Sequence, residues 1–165
     1  MASGKVAASS KATPVKSNIA LIVTEGAPKP DVSSVEAFKR TIVEAKSVAI
    51  TAQGPSGLTM ARIFDRLGIS EAVKPKLVLV PPGHPVAGVV LRGDAQIGAQ
   101  QLSEVVGFKG VAVAGTLPAE LGGVTTYALG VAAEGQNSGA ANAIASWLQS
   151  PEAAEAFRTR GFQAP

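Results

Sequence analysis

The chain has 165 residues, of which 46% are hydrophobic and 16% are charged, so it can form one domain or two small lobes around a buried core. It contains no cysteine and only one histidine, His84, which excludes disulfides, thiolate metal sites and sites built from several histidines. Aromatic residues make up only 4%, and no apolar run approaches the length of a membrane span. We therefore expect neither nucleic-acid binding nor membrane insertion, and no metal or cofactor.

The net charge of +3 is concentrated at the start of the chain, where Lys5, Lys11 and Lys16 precede the first acidic residue, Glu25. A nucleic-acid footprint would instead cluster Lys and Arg on a folded face. We expect residues 1–17 to form a flexible basic tail. This segment lacks the apolar core of a signal peptide, so we expect no export signal in the chain as written.

Strands and helices alternate along the rest of the chain. Apolar runs predict strands over 18–24, 47–51, 76–80, 96–100, 110–114 and 124–133. Helices are predicted after Ser33 or Ser34, after Gly54, over 86–91, after Asn137 or Ser138, and from Pro151. This alternation is typical of an α/β fold, in which helices flank a mostly parallel sheet on both sides.

The turn Gly54-Pro55-Ser56-Gly57 joins the strand that ends at Thr51 to the next helix. Pro55 favours the first helical turn, Ser56 is a candidate cap, and Gly57 allows another group to approach the backbone. The first amides of a helix have no partner inside it, so this turn has the geometry of a small-anion site. The alternative is an ordinary strand–helix turn that is capped by its own serine.

Two further strand ends carry polar or turn residues. The segment 82–85 breaks the chain before a short helix, and Gln100 and Gln101 end the following strand. Ligands of open parallel sheets bind at the carboxyl ends of the strands, and amide side chains can both donate and accept hydrogen bonds. Three such ends favour a binding site at this edge of the sheet, without naming the ligand.

The sequence also resembles a known family, in five stretches that together run through most of the chain. The stretches are P-K-P-D-V-S-S-V-E-A-F-K-R, S-V-A-I-T, G-P-S-G-L-T-M-A-R-I-F-D-R-L-G-I, A-Q-I-G-A-Q-Q-L-S-E and S-P-E-A-A-E-A-F-R-T-R-G-F. They resemble the molybdate-binding-protein-like branch of extracellular solute-binding proteins. These are the type 2 periplasmic receptors of ABC importers.

The resemblance implies two α/β lobes joined by crossing strands, with the ligand in the cleft between them. It places the second lobe and both crossing strands at 18–133, and helices of an incomplete first lobe at 134–165. On this basis we expect the chain to be N-terminally truncated. We also expect six apolar residues that the first lobe would cover to be unusually accessible: Ile19, Leu21, Leu129, Val131, Ile144 and Leu148.

The resemblance also implies the ligand contacts. The backbone donor of one helix falls on Ser56, next to Gly57, and the donor of the other falls near Pro85 and Val86. Gln101, which follows Gln100, stands where many molybdate binders have a tyrosine. A glutamine suits an oxyanion or another small polar ligand, so the resemblance does not fix molybdate.

The function implied is the substrate-binding component of an ABC transporter, which binds a small oxyanion or polar anion and docks on a permease. Such a protein needs no catalytic group, and we expect no enzyme. A hydrolase is disfavoured because Ser56 is not in a nucleophile elbow and nothing marks a triad with His84. An effector-sensing or orphan binding module and a non-functional fragment stay open. The family resemblance implies a periplasmic location, and the missing signal peptide a cytoplasmic one if this chain is the whole product.

Overall fold

A computed structural model describes residues 5–7, 10–135 and 138–164. The strands are β1 (Ala12–Thr24), β2 (Val48–Thr51), β3 (Leu77–Val80), β4 (Ile97–Gln101), β5 (Val111–Thr116) and β6 (Val124–Leu129). The helices are α1 (Val35–Glu44), α2 (Pro55–Arg66), α3 (Ser70–Val73), α4 (Val86–Leu91), α5 (Leu102–Val105), α6 (Ser138–Trp147) and α7 (Pro151–Arg158), with short 3-10 turns at Lys74–Lys76 and Ala119–Leu121. The predicted α/β class is confirmed.

The strands form one sheet in the order β3-β2-β4-β1-β5, with β6 paired to β1. The strand β2 is parallel to both β3 and β4, with Ala49 opposite Val78 on one side and Gly98 on the other. The strand β1 is antiparallel to β4 and β5, and Ile19 lies opposite Gln101. The carboxyl ends of β3, β2 and β4 therefore meet at one edge of the sheet.

The chain divides into two compact units, which we call unit 1 (residues 1–17 and 126–165) and unit 2 (residues 18–125). Unit 2 holds the main core, in which β1, β2 and β4 pack against α1 and α2 through Leu21, Phe38, Ile50, Met60 and Ala99. On the other face of the sheet, Val86 and Val89 of α4 pack with Ala49 and Val80. The boundaries predicted for the family's lobes, 18–133 and 134–165, remain predictions.

The predicted tail is wrong for residues 12–17, which form the first half of β1. Val15 and Ser17 are buried in an alternating pattern, and the backbone of Lys16 exchanges two hydrogen bonds with Gln163, at 3.0 and 2.8 Å. The partner strand segment lies near the other end of the sequence, so the local Ala, Ser and Lys composition gave no sign of it. Residues 1–4, 8 and 9, in the same predicted tail, lie outside the described residues.

The helix predictions are confirmed at α4 and at the start of α7. The cap of α1 is Ser34 rather than Ser33, because the Ser34 side chain accepts a hydrogen bond from the Ala37 N–H at 3.1 Å. The predicted cap Asn137 lies outside the described residues. The expected accessibility is wrong for Ile19, Leu21 and Val131, which are buried. It is confirmed for Ile144, whose side chain is 59% exposed, while Leu129 and Leu148 are half-buried.

Candidate functional site

The turn between β2 and α2 is closed by Thr51, the last residue of β2. The helix begins at Pro55 after Gly54, whose φ of 114° suits glycine. The Thr51 Oγ1 accepts from the Gly57 N–H at 3.1 Å and lies 3.2 Å from the Ser56 hydroxyl oxygen. The predicted cap and free amide need correction: Thr51 caps the helix instead of Ser56, and the Gly57 amide is occupied by the protein itself.

Gly57 is required by close packing between the start of α2 and the end of β2. A Cβ atom built on Gly57 would lie 1.9 Å from the carbonyl oxygen of Thr51, which no side chain tolerates without backbone movement. The glycine therefore lets the first turn of α2 rest directly on the strand. This contact fixes the direction of the Ser56 N–H at the sheet edge.

The helix α4 begins beside the end of β3, on the other face of the sheet. Pro85 precedes the helix in an extended conformation and is exposed, whereas Val86 is fully buried. Gly98 of β4 makes room for α4, since a Cβ there would lie 2.7 Å from Val86 Cγ1 and 2.8 Å from Val90 Cγ2. Because Pro85 has no N–H, the first backbone donor of this helix belongs to Val86.

Gln100 holds the two helices next to β4 in place. Its side chain is buried, its Oε1 accepts from the Ala87 N–H at 3.0 Å, and its Nε2 donates to Glu104 Oε2 at 2.7 Å. Each amide atom thus has one partner within the protein, and these bonds position the start of α4 against the end of β4. The expectation that Gln100 binds a ligand stays a prediction.

Gln101 differs from its neighbour because one of its amide atoms has no partner. The residue is 3% exposed, and its Nε2 donates to Thr125 Oγ1 at 2.6 Å. Its Oε1 is buried and has no hydrogen-bond partner among the described residues. A polar atom in this state is costly unless something else supplies a donor.

Backbone groups also provide hydrogen-bond donors at this edge. Within the described ranges, no protein group accepts a hydrogen bond from the N–H of Ser56 or Val86. The sequence interpretation missed Thr51, Glu104 and Thr125, the side chains that contact the predicted site residues. A hydroxyl at the very end of a strand was the available signal for Thr51, but the contacts of Glu104 and Thr125 depend on how α5 and β6 pack.

Charged and metal-binding groups are scarce at this edge. Among the described residues, Glu104 is an ionisable side chain that accepts a hydrogen bond from Gln100, and it is exposed. His84 is exposed as well, with Nδ1 3.4 Å from the Pro82 carbonyl oxygen. Within residues 5–7, 10–135 and 138–164 no three His, Asp or Glu side chains come together as a metal site would need.

A separate groove of about 920 Å³ lies in unit 1, between the first half of β1 and the end of the chain. Its lining includes Lys11, Val15, Phe157, Arg158 and Phe162. Arg158 is paired with Glu155 by two hydrogen bonds, at 2.6 and 2.8 Å. The groove therefore combines apolar side chains with the ammonium group of Lys11.

Comparison with known families then decides what kind of protein this is. The model of a family described as bacterial extracellular solute-binding protein matches residues 1–163. This chain belongs to that family. The predicted resemblance is thereby confirmed at the level of the family. No helix in the part of the chain that the structure describes is long and apolar enough to cross a membrane.

This solute-binding protein is similar to two curated relatives and to one solved structure. It is 38% identical over 164 residues to an aconitate isomerase of a Pseudomonas species, covering 99% of this chain and 62% of the relative. It is 31% identical over 108 residues to the molybdate-binding protein ModA of Escherichia coli, covering 66% of this chain and 42% of the relative. The substrate-binding domain of a putative molybdenum ABC transporter from Clostridium difficile shares the fold, with a TM-score of 0.77, 20% identity, and coverage of 98% of this chain and 69% of that one. The chain thus spans less than two thirds of the length of the two curated relatives.

Proposed function

We propose that this solute-binding protein binds a small polar anion at the edge where β3, β2 and β4 end, and that it serves the permease of an ABC importer. The observation that carries the proposal is the pattern of used and unused donors. The N–H groups of Gly57 and Ala87 are occupied by Thr51 and Gln100, whereas the N–H groups of Ser56 and Val86 have no acceptor. Unpaired N–H groups at helix starts favour negative charge.

The anion is best described as a small organic polycarboxylate. The relative named for aconitate is matched over 99% of this chain, whereas the molybdate binder is matched over 66%. By the family resemblance, Gln101 also stands where many molybdate binders have a tyrosine. Neutral amides can hold such an anion because hydrogen bonds to charged groups are stronger than those between neutral groups, by roughly twofold.

The test removes one backbone donor at the start of α2. Ser56→Pro deletes the N–H at the second position of α2, where proline is tolerated within the first helical turn. We expect trans-aconitate to bind the variant at least about tenfold more weakly than the native protein, because a hydrogen bond to a charged group is worth about 1.5–3 kcal/mol. Calorimetric titration measures the affinity, and the melting temperature without ligand checks the fold.

Glu152→Pro is the matched control. Glu152 is the second residue of α7, and α7 begins with Pro151 as α2 begins with Pro55. The same substitution in the same helical context should leave the affinity unchanged. Failure of trans-aconitate, molybdate and sulfate all to bind the native protein, or full affinity in Ser56→Pro, would contradict the proposed function.

Isomerisation of aconitate is a second candidate function, favoured by the 38% identity to the isomerase. If the reaction runs by proton transfer, it needs a group that accepts and returns a proton. Glu104, hydrogen-bonded to Gln100 at the same edge, is the side chain with that chemistry. Incubation with cis-aconitate, followed by proton NMR, should then show the trans isomer with the native protein and a loss of at least about a hundredfold in rate with Glu104→Gln.

A further inference from the structure

Gln101 carries a buried hydrogen-bond acceptor that the protein leaves unsatisfied. Its Oε1 has no partner among the described residues, although its Nε2 is fixed by Thr125 at 2.6 Å. The other buried side-chain oxygen without a partner there is Asn18 Oδ1. Ile19 is the register partner of Gln101, so Asn18, one residue earlier, points to the opposite face of the sheet. The two oxygens without a partner therefore lie on opposite faces of the sheet.

The free oxygen of Gln101 lies on the same face of the sheet as α2. Side chains alternate along β4, and Ile97 and Ala99, which share the face of Gln101, pack in the core with Met60 and Phe64 of α2. The unpaired N–H of Ser56 starts that same helix. One face of the sheet edge thus offers a donor on a helix start and an acceptor on a strand end.

An anion without a hydroxyl group can bind the donor of this pair, the Ser56 N–H, but not the acceptor, Gln101 Oε1. Molybdate, sulfate and fully ionised carboxylates bring acceptors alone at neutral pH, which suits the Ser56 N–H but leaves Gln101 Oε1 without a donor. An alcohol group supplies the missing hydrogen. Leaving a buried acceptor unpaired is costly, so a ligand that lacks the donor is discriminated against.

We infer that Gln101 is a specificity-determining residue and that the preferred ligand is a hydroxy acid, whose hydroxyl donates to Gln101 Oε1 while a carboxylate accepts from the Ser56 N–H. The inference rests on the proposed anion site. It narrows the expected ligands from polycarboxylates in general to polycarboxylates that also carry a hydroxyl group, with Gln101 as the hydrogen-bond acceptor.

Citrate and tricarballylate form the matched pair of probes, because they share three carboxylates and differ in one hydroxyl. Calorimetric titration of the native protein should give citrate an affinity roughly tenfold higher, the ratio that one satisfied buried acceptor supports. In Gln101→Met the ratio should fall to about one, because the side chain no longer accepts a hydrogen bond. In Gln101→Glu both affinities fall through charge repulsion, but the ratio should persist, because a carboxylate oxygen also accepts.

Gln96→Met is the control, since Gln96 directly precedes β4 at its other end and its Oε1 accepts from the Lys46 N–H. This variant should keep the native ratio. Equal affinity of the native protein for citrate and tricarballylate would overturn the inference while leaving the anion site standing. That result is expected if the amide is turned the other way, with the Thr125 hydroxyl donating to the oxygen and Nε2 left free. Absence of binding by every anion would instead overturn the proposed function itself.

Discussion

Unit 2 and unit 1 use their apolar residues in opposite ways. In unit 2, Phe38 and Ile42 of α1 are fully buried against the sheet. In unit 1, α6 has no buried residue, although it contains no charged side chain, and Ile144 and Trp147 are 59% and 49% exposed. The two helices have similar apolar spacing, with Val35, Phe38 and Ile42 in α1 and Ala141, Ile144 and Ala145 in α6. The difference shows that apolar periodicity indicates a helix, whereas burial depends on what the fold places against it.

The largest expected contrast is between the cores of the two units. Phe38→Ala should lower the free energy of unfolding by about 3–5 kcal/mol, because it leaves a cavity in a well-packed core. Ile144→Ala in α6 should change it by less than about 0.5 kcal/mol, since the side chain is largely in water already. Urea unfolding of both variants measures the two values, and a cost above about 2 kcal/mol for Ile144→Ala would show that α6 is packed after all.

A second contrast concerns one helical glycine in each unit. Gly57→Ala should destabilise the protein by about 1–3 kcal/mol, because the new Cβ meets the Thr51 carbonyl oxygen and the start of α2 must move. Gly139→Ala should stabilise it by about 0.5–1 kcal/mol, because alanine favours a helix and nothing lies within 4 Å of the added atom. Equal changes in melting temperature for the two variants would refute the packing described for α2.

The smallest contrast is electrostatic and depends on pH. Hydrogen bonds from Ser33, with Arg40 nearby, lower the pKa of Asp31 below its usual 3.8, and Arg158 lowers the pKa of Glu155 below its usual 4.5. When folding lowers the pKa of a carboxyl group, the group stabilises the fold at pH values above its usual pKa. This contribution is lost as the pH falls through the pKa of the folded state.

Asp31→Asn and Glu155→Gln should therefore each reduce stability slightly at pH 7 and have no effect on it well below pH 3. Both carboxyls are exposed, so added salt should shrink the effects. Thermal unfolding at the two pH values, with and without 1 M salt, measures them. A destabilisation that persists in full at low pH would contradict the assigned hydrogen bonds.

The sequence predicted the α/β class, the start of α4 and the start of α7, because each depends on local signals such as Pro151 and the break before Val86. It did not predict the first half of β1, since Lys16 pairs with Gln163, which is distant in the sequence. The sequence placed Ser56, Gly57, Gln100 and Gln101 at strand ends along one edge of the sheet, and their role in ligand binding stays a prediction. Which donors are free could not be predicted, because Thr51 and the contact between Gln100 and Ala87 decide it.

The measurement that tests the central claim most directly is an NMR titration of nitrogen-15-labelled protein with trans-aconitate. The anion site predicts that the largest chemical-shift changes occur at the backbone amides of Ser56 and Val86. Largest changes around the groove of unit 1, near Lys11 and Arg158, would place binding elsewhere and contradict the account. The absence of any change at millimolar ligand would contradict it as well.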